Sequence, residues 1–111
     1  MAATDPRNAS PSEGLPTAVD RAAESFAHLA TCVMGREADA AVLAALTETR
    51  TRCDAASAER PGQRALFVNL QTALSTWQQV WPRLGGQGEF RAAVAREAEQ
   101  WAKKLTGLAK S

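Results

Sequence analysis

The chain has 111 residues, 45% of them hydrophobic and 23% charged, with a formal net charge of +1 at pH 7. That is one domain's worth of chain, enough for a single modest core, and its near-neutral balance gives no electrostatic basis for binding nucleic acid. No run approaches the roughly 20 apolar residues that cross a bilayer, and the opening MAATDPRNASPSEGLP lacks the apolar stretch of a secretory signal. Two cysteines without an export signal give the expectation of a cytoplasmic protein with free thiols.

Charge is unevenly placed along the chain. Residues 1–59 hold five arginines against nine carboxylates, a net of −4, whereas residues 60–111 hold eight cations against three glutamates, a net of +5. Two such halves attract one another inside one bundle, or join copies head to tail. Apolar character comes mainly from Ala and Leu, good helix formers, while the β-branched and aromatic residues of strands are scarce.

Residues 1–16 carry Pro6, Pro11 and Pro16 among polar side chains, a composition that predicts an irregular arm. The first helix is expected from Ala18 to Met34. Thr17 followed by Asp20 is a variant of the capping box, and Val19, Phe26 and Val33 recur at seven with alanines and Leu29 between them. Gly35 supplies a stop through the left-handed conformation that glycine tolerates. A second helix is expected from Arg36 to Ala58, with a stripe of small residues (Ala41, Val42, Ala45, Thr49, Cys53 and Ala56 among them), and Pro61-Gly62 breaks the chain after it.

The third helix, from Gln63 to Leu84, has the clearest periodicity. Phe67, Leu70, Leu74, Trp77, Trp81 and Leu84 step by three and four, a heptad seam. Pro82 is expected to end or kink it near Trp81. Past Gly85-Gly86-Gln87-Gly88, a fourth helix from Glu89 to Ala109 buries Phe90, Ala93, Val94, Ala98, Trp101, Leu105 and Leu108 by the same spacing. If the last two helices fold back about the glycines, Trp77 and Trp81 fall opposite Ala92, Ala93 and Ala95, large against small. The expected fold class is therefore all-α: a four-helix antiparallel, up-down-up-down bundle over 17–111, behind a Pro-rich arm at 1–16.

Few residues offer chemistry. Cys32 and Cys53 lie far apart in a folded-back pair of helices, and with one histidine there is no zinc set, so no metal or other cofactor is expected. The row Arg96, Lys103 and Lys110, with Lys104 beside it, reads as a solvated helix surface. His28 falls outside the apolar stripe of its helix. An exposed histidine on a four-helix bundle of this size resembles histidine phosphotransfer domains, whose phospho-accepting residue sits in a pattern like H-x-x-K-G. The segment here is His28-Leu29-Ala30-Thr31-Cys32, without the Lys or the Gly. That resemblance implies a phosphorelay intermediate with His28 as acceptor, the alternative functional reading.

The leading reading rests on the third helix. Between Arg64 and Arg83 no residue is charged, although a helix with one side in water ordinarily carries Lys and Glu there. Behind the seam runs a second apolar row, Leu66, Ala73 and Val80, and the outer face is Asn69, Gln71, Thr72, Ser75, Thr76, Gln78 and Gln79. Depletion of charge beside retained aromatics is the composition of an interface core. The sequence thus points to a non-enzymatic helical interaction module, self-associating as a homodimer or docking a protein partner through Leu66, Asn69, Ala73, Thr76 and Val80, with no nucleic-acid or membrane partner.

Overall fold

The computed structural model describes residues 17–35 and 37–110; the arm expected at 1–16 lies outside them. Within the described residues the chain is all-helical, without strands. Four long helices, α1 (Ala18–Met34), α2 (Asp39–Glu59), α3 (Arg64–Leu84) and α4 (Gly88–Ala109), pack together, with one short 3-10 turn, Pro61–Gln63, before α3. The central helix is α1, which packs along both α2 and α4; α3 lies along α2. Between α3 and α4 contact is sparse.

The start of α1 follows from its own sequence. Thr17 stays extended (φ −79°, ψ 171°) and its hydroxyl accepts the Asp20 N–H at 3.1 Å, while the Asp20 carboxylate accepts the Thr17 N–H at 3.0 Å. The next two free N–H groups, of Ala18 and Val19, donate to the Glu59 carboxylate at 3.2 and 3.3 Å. All the orphan donors that a helix N-terminus leaves are thereby used, and the last residue of α2 is pinned beside the first of α1. Midway, Thr49 is fully buried; its hydroxyl donates to its own helix at Ala45 O (2.7 Å) and lies 3.4 Å from Ser25 O of α1. Ala22, Ala45 and Ala56 are buried in the same core.

Several boundaries differ from the sequence expectation, each for a local reason. Gly35 is right-handed (φ −77°, ψ 0°), so α1 ends without a left-handed residue. The Glu37 N–H returns to Cys32 O at 3.1 Å, which ties that residue to the end of α1 and delays α2 to Asp39. Gln63 belongs to the 3-10 turn and not to α3. Pro82 does not stop α3, which runs on to Leu84; Pro is costly chiefly through the lost hydrogen bond one turn back, and that loss falls in the final turn. On α4, Ala92 and Ala93 are exposed and only Ala95 of the three alanines is buried, because α4 packs along α1 and meets α3 only sparsely, so Trp77 and Trp81 do not face that stretch as the fold-back register predicts.

The core follows the seam read from α3: Phe67, Leu70, Leu74, Trp77 and Trp81 are all buried, against Phe26 and Leu29 of α1, Leu46 of α2, and Val94 and Leu105 of α4 in one cluster. No helix among the described residues is long and apolar enough to cross a membrane.

Candidate interaction surface

The faces of α3 are set by what each neighbouring helix offers. Toward α2 the contact is polar. Gln71 Nε2 donates to Arg50 O at 2.9 Å and to the Asp54 carboxylate at 2.8 Å. Gln78 accepts from the Arg50 guanidinium at 2.8 Å and donates to the Thr47 hydroxyl at 3.0 Å. These glutamines, expected on the outer face, instead form a half-buried amide seam that registers α3 on α2. A pair of acceptors beside Gln71 Nε2 fixes the amide's orientation, since the flipped form would set oxygen against oxygen. Its Oε1 is then buried without a partner.

At the far end of α3 a second cluster forms around Trp81. The indole N–H donates to the Asp39 carboxylate at 3.1 Å, the Phe90 ring lies 5.6 Å away at 51°, and the Arg91 guanidinium sits 5.1 Å from the ring centroid. Arg91 also donates to Val33 O (3.2 Å) and Gly85 O (2.7 Å). One cation therefore satisfies carbonyls at the C-terminal ends of both α1 and α3, where the helix dipole favours positive charge. A Cβ on Gly85 would come within 2.6 Å of the Trp81 ring, so glycine is needed there for space and not for an unusual φ.

What remains of α3 is its outer face. Of the residues read as an interface, Asn69 and Thr76 are exposed, whereas Leu66, Ala73 and Val80 are half-buried, with Leu66 and Ala73 packed on the core. On α3 the sequence reading missed one exposed large apolar residue, Val68, 53% exposed. It lies outside the three-and-four rhythm of the seam, so periodicity alone gave no reason to single it out. Beside it runs an open groove of about 440 Å³ between α2 (Asp54, Ser57) and α3 (Arg64, Val68, Thr72, Ser75, Thr76), with the Asp54 carboxylate and the Arg64 guanidinium among its walls. Val68, the adjoining hydroxyls and Asn69 make a continuous uncharged strip along the helix, with Arg64 and Arg83 at its ends.

The other candidates sit apart from this strip. His28 is exposed and shares a shallow hollow of about 280 Å³ with Arg21, Glu24, Glu48 and Arg52. Its Nε2 is 3.4 Å from Cys32 Sγ, and Arg52 is paired with Glu48 at 3.2 Å. Both cysteines are free and buried. Burial first, and the Asp54 carboxylate second, push the Cys53 thiol up to about 12; burial and then Glu37 raise that of Cys32. A protonated thiol is a poor nucleophile. Arg96, Lys103 and Lys110 are exposed, and Lys104 lies 5.7 Å from the Trp101 ring centroid. Among the described residues no group of three or more His, Cys, Asp or Glu could hold a metal ion.

No family model matches the chain, and neither a curated protein nor a solved structure is significantly similar to it.

Proposed function

We propose that this chain is a non-enzymatic interaction module that docks a helix, from a second copy or from a protein partner, against the outer face of α3. The observation that carries the reading is the uncharged strip on an exposed helix, with Val68 standing 53% exposed beside a groove of about 440 Å³. Water-facing helix surfaces hold charge for solubility; a strip without it is suited to being covered. The half-buried row Leu66, Ala73 and Val80 borders the strip, so an incoming helix would meet apolar side chains beyond Asn69 and Thr76. The helices themselves are best read as an antiparallel up-down-up-down bundle. Glu59 beside Ala18, Asp39 beside Trp81 and Arg91 beside Val33 each support opposed neighbours. Two free thiols suit a reducing, cytoplasmic setting.

A photo-crosslinking amino acid placed at Thr76 tests this reading in the native cell, with the same group at the exposed Lys103 as control. An adduct of defined mass at Thr76 and none at Lys103 is expected. No adduct at Thr76, or equal adducts at both sites, removes the docking function.

A second reading, phosphoryl acceptance by His28, is favoured by the two guanidinium groups, Arg21 and Arg52, that share its hollow and would meet an anion. Glu24 and Glu48 in the same hollow oppose it. Incubation with a phosphorylated receiver domain gives an acid-labile label lost in His28→Ala if this reading holds; an unlabelled wild type ends it.

A further inference from the structure

The docking reading uses neither His28 nor Cys32. They stand four residues apart on α1, neighbours on one helix face, and His28 Nε2 lies 3.4 Å from Cys32 Sγ in a half-buried contact. We infer that this pair chelates an exchangeable zinc-class ion, a borderline-soft dication, through Sγ and Nε2. The inference stands apart from the docking reading.

The separation of the two donor atoms carries it. Zinc binds sulfur at about 2.3 Å and imidazole nitrogen at about 2.0–2.1 Å. A tetrahedral angle at the metal then sets the donors about 3.5–3.6 Å apart. A right angle, as in square-planar sites, sets them about 3.1 Å apart, and a linear arrangement about 4.3–4.4 Å. The observed 3.4 Å is closest to the tetrahedral bite. Both donors belong to one helix, so no helix has to move to bring them together. His28 is exposed and offers the approach, while Cys32, 6% exposed, lies one turn further along.

Loading replaces the hydrogen held between the two atoms. The thiol proton leaves to solvent, the sulfur lone pair forms the S–metal bond, and Nε2 gives its lone pair with the ring hydrogen on Nδ1; nothing is oxidised or reduced. A sulfur and an imidazole nitrogen select against magnesium and calcium, which take oxygen ligands. In the hollow beside His28, Glu24 and Glu48 offset Arg21 and Arg52, and Arg52 is already paired with Glu48. On the other side the Glu37 carboxylate acts on the Cys32 thiol; a carboxylate that disfavours a bare thiolate favours one carrying a dication. No third His, Cys, Asp or Glu among the described residues completes the set. Two positions therefore stay with water or a small external donor, which is the character of an open site and not of a closed structural one. The ion bridges no two helices, so the fold does not depend on it.

Cobalt(II) is the probe, added to the full chain with a phosphine as reductant. The wild type should show a thiolate-to-cobalt charge-transfer band and the strong visible bands of a four-coordinate ion, saturating at one ion per chain and displaced by zinc. The thiolate band should vanish in Cys32→Ser, weaken at least tenfold in affinity in His28→Gln, and persist in Cys53→Ala. Circular dichroism melts of His28→Gln and of wild type with a chelator should match that of the untreated chain. A wild type without the thiolate band, or a band that survives Cys32→Ser, overturns the site. Equal affinity in His28→Gln leaves a cysteine acting alone and overturns the chelate, and a melt lowered by the chelator overturns its exchangeable character.

Discussion

The two ends of the helix assembly meet the same electrostatic demand with opposite charges and with different amounts of burial. At one end the free N–H groups of α1 face the Thr17 hydroxyl and the carboxylates of Asp20 and Glu59, in contacts that are exposed or half-buried. At the other, carbonyls of Val33 and Gly85 face a single guanidinium, Arg91, packed on the buried Trp81 ring. Both ends place the sign of charge that the helix dipole prefers. The lesson is that the sign of a cap is dictated by helix direction, whereas its weight depends on how much apolar surface it organises. By that measure the Trp81–Arg91 end should dominate stability.

The comparison is broken most directly at Trp81. Trp81→Ala removes a side chain 1% exposed together with its hydrogen bond to Asp39, and should cost about 3–5 kcal/mol in chemical denaturation. A loss under 1 kcal/mol would mean that this end is not a core element. Next comes Arg91→Met, which keeps the aliphatic stem but leaves Val33 O and Gly85 O without their charged donor. A loss of about 2 kcal/mol is expected. Because Arg91 Nη2 is itself buried without a partner, part of that cost is offset by relief of an unsatisfied donor.

Alkaline pH probes the α2 side of the contrast, where the Cys53 thiol, toward the Glu59 end, can ionise. In the unfolded chain that thiol titrates near 9.0, and in the folded chain near 12. Between those values the unfolded state releases a proton that the folded state retains, so this contribution is fully present below pH 9 and declines as pH rises toward 12. Its slope is at most about 1.4 kcal/mol per pH unit. Denaturation midpoints followed from pH 8 to 11 should fall less steeply in Cys53→Ala than in wild type; equal slopes would exclude the thiol as a source.

How much of this was legible beforehand depends on whether the cause is local. The Thr17–Asp20 box lies within one turn, and α1 runs from Ala18 to Met34 as its spacing predicts. The α3 seam was equally plain, because large apolar residues at steps of three and four have only one economical place to go. The glutamine seam was not. Gln71 and Gln78 have the character of surface residues, and only the approach of Arg50, Asp54 and Thr47 on another helix turns them inward. Gly85 misled in the same way: sequence suggests a flexible turn, whereas the structural need is room for an indole. Within the candidate surface, charge depletion drew attention to α3, but helical rhythm pointed at Leu66, Ala73 and Val80 and passed over Val68, whose exposure depends on how far α2 wraps around α3.

The smallest effects belong to the carboxylate end, and they test whether its caps act together. Thr17→Ala removes the hydroxyl that holds the Asp20 N–H and should cost about 1 kcal/mol, a fall in Tm of at least about 4 °C. Glu59→Gln keeps an acceptor for Ala18 and Val19 but discards the charge, and should cost about 0.5 kcal/mol. Asp20 and Glu59 bind different N–H groups of the same first turn, yet both need that turn to be formed. The double variant should therefore lose less than the two single losses combined, because a turn frayed by Thr17→Ala no longer presents its donors to Glu59. Strict additivity would show that Glu59 holds Ala18 and Val19 whether or not the box is closed, and would make the end of α2 the anchor of α1.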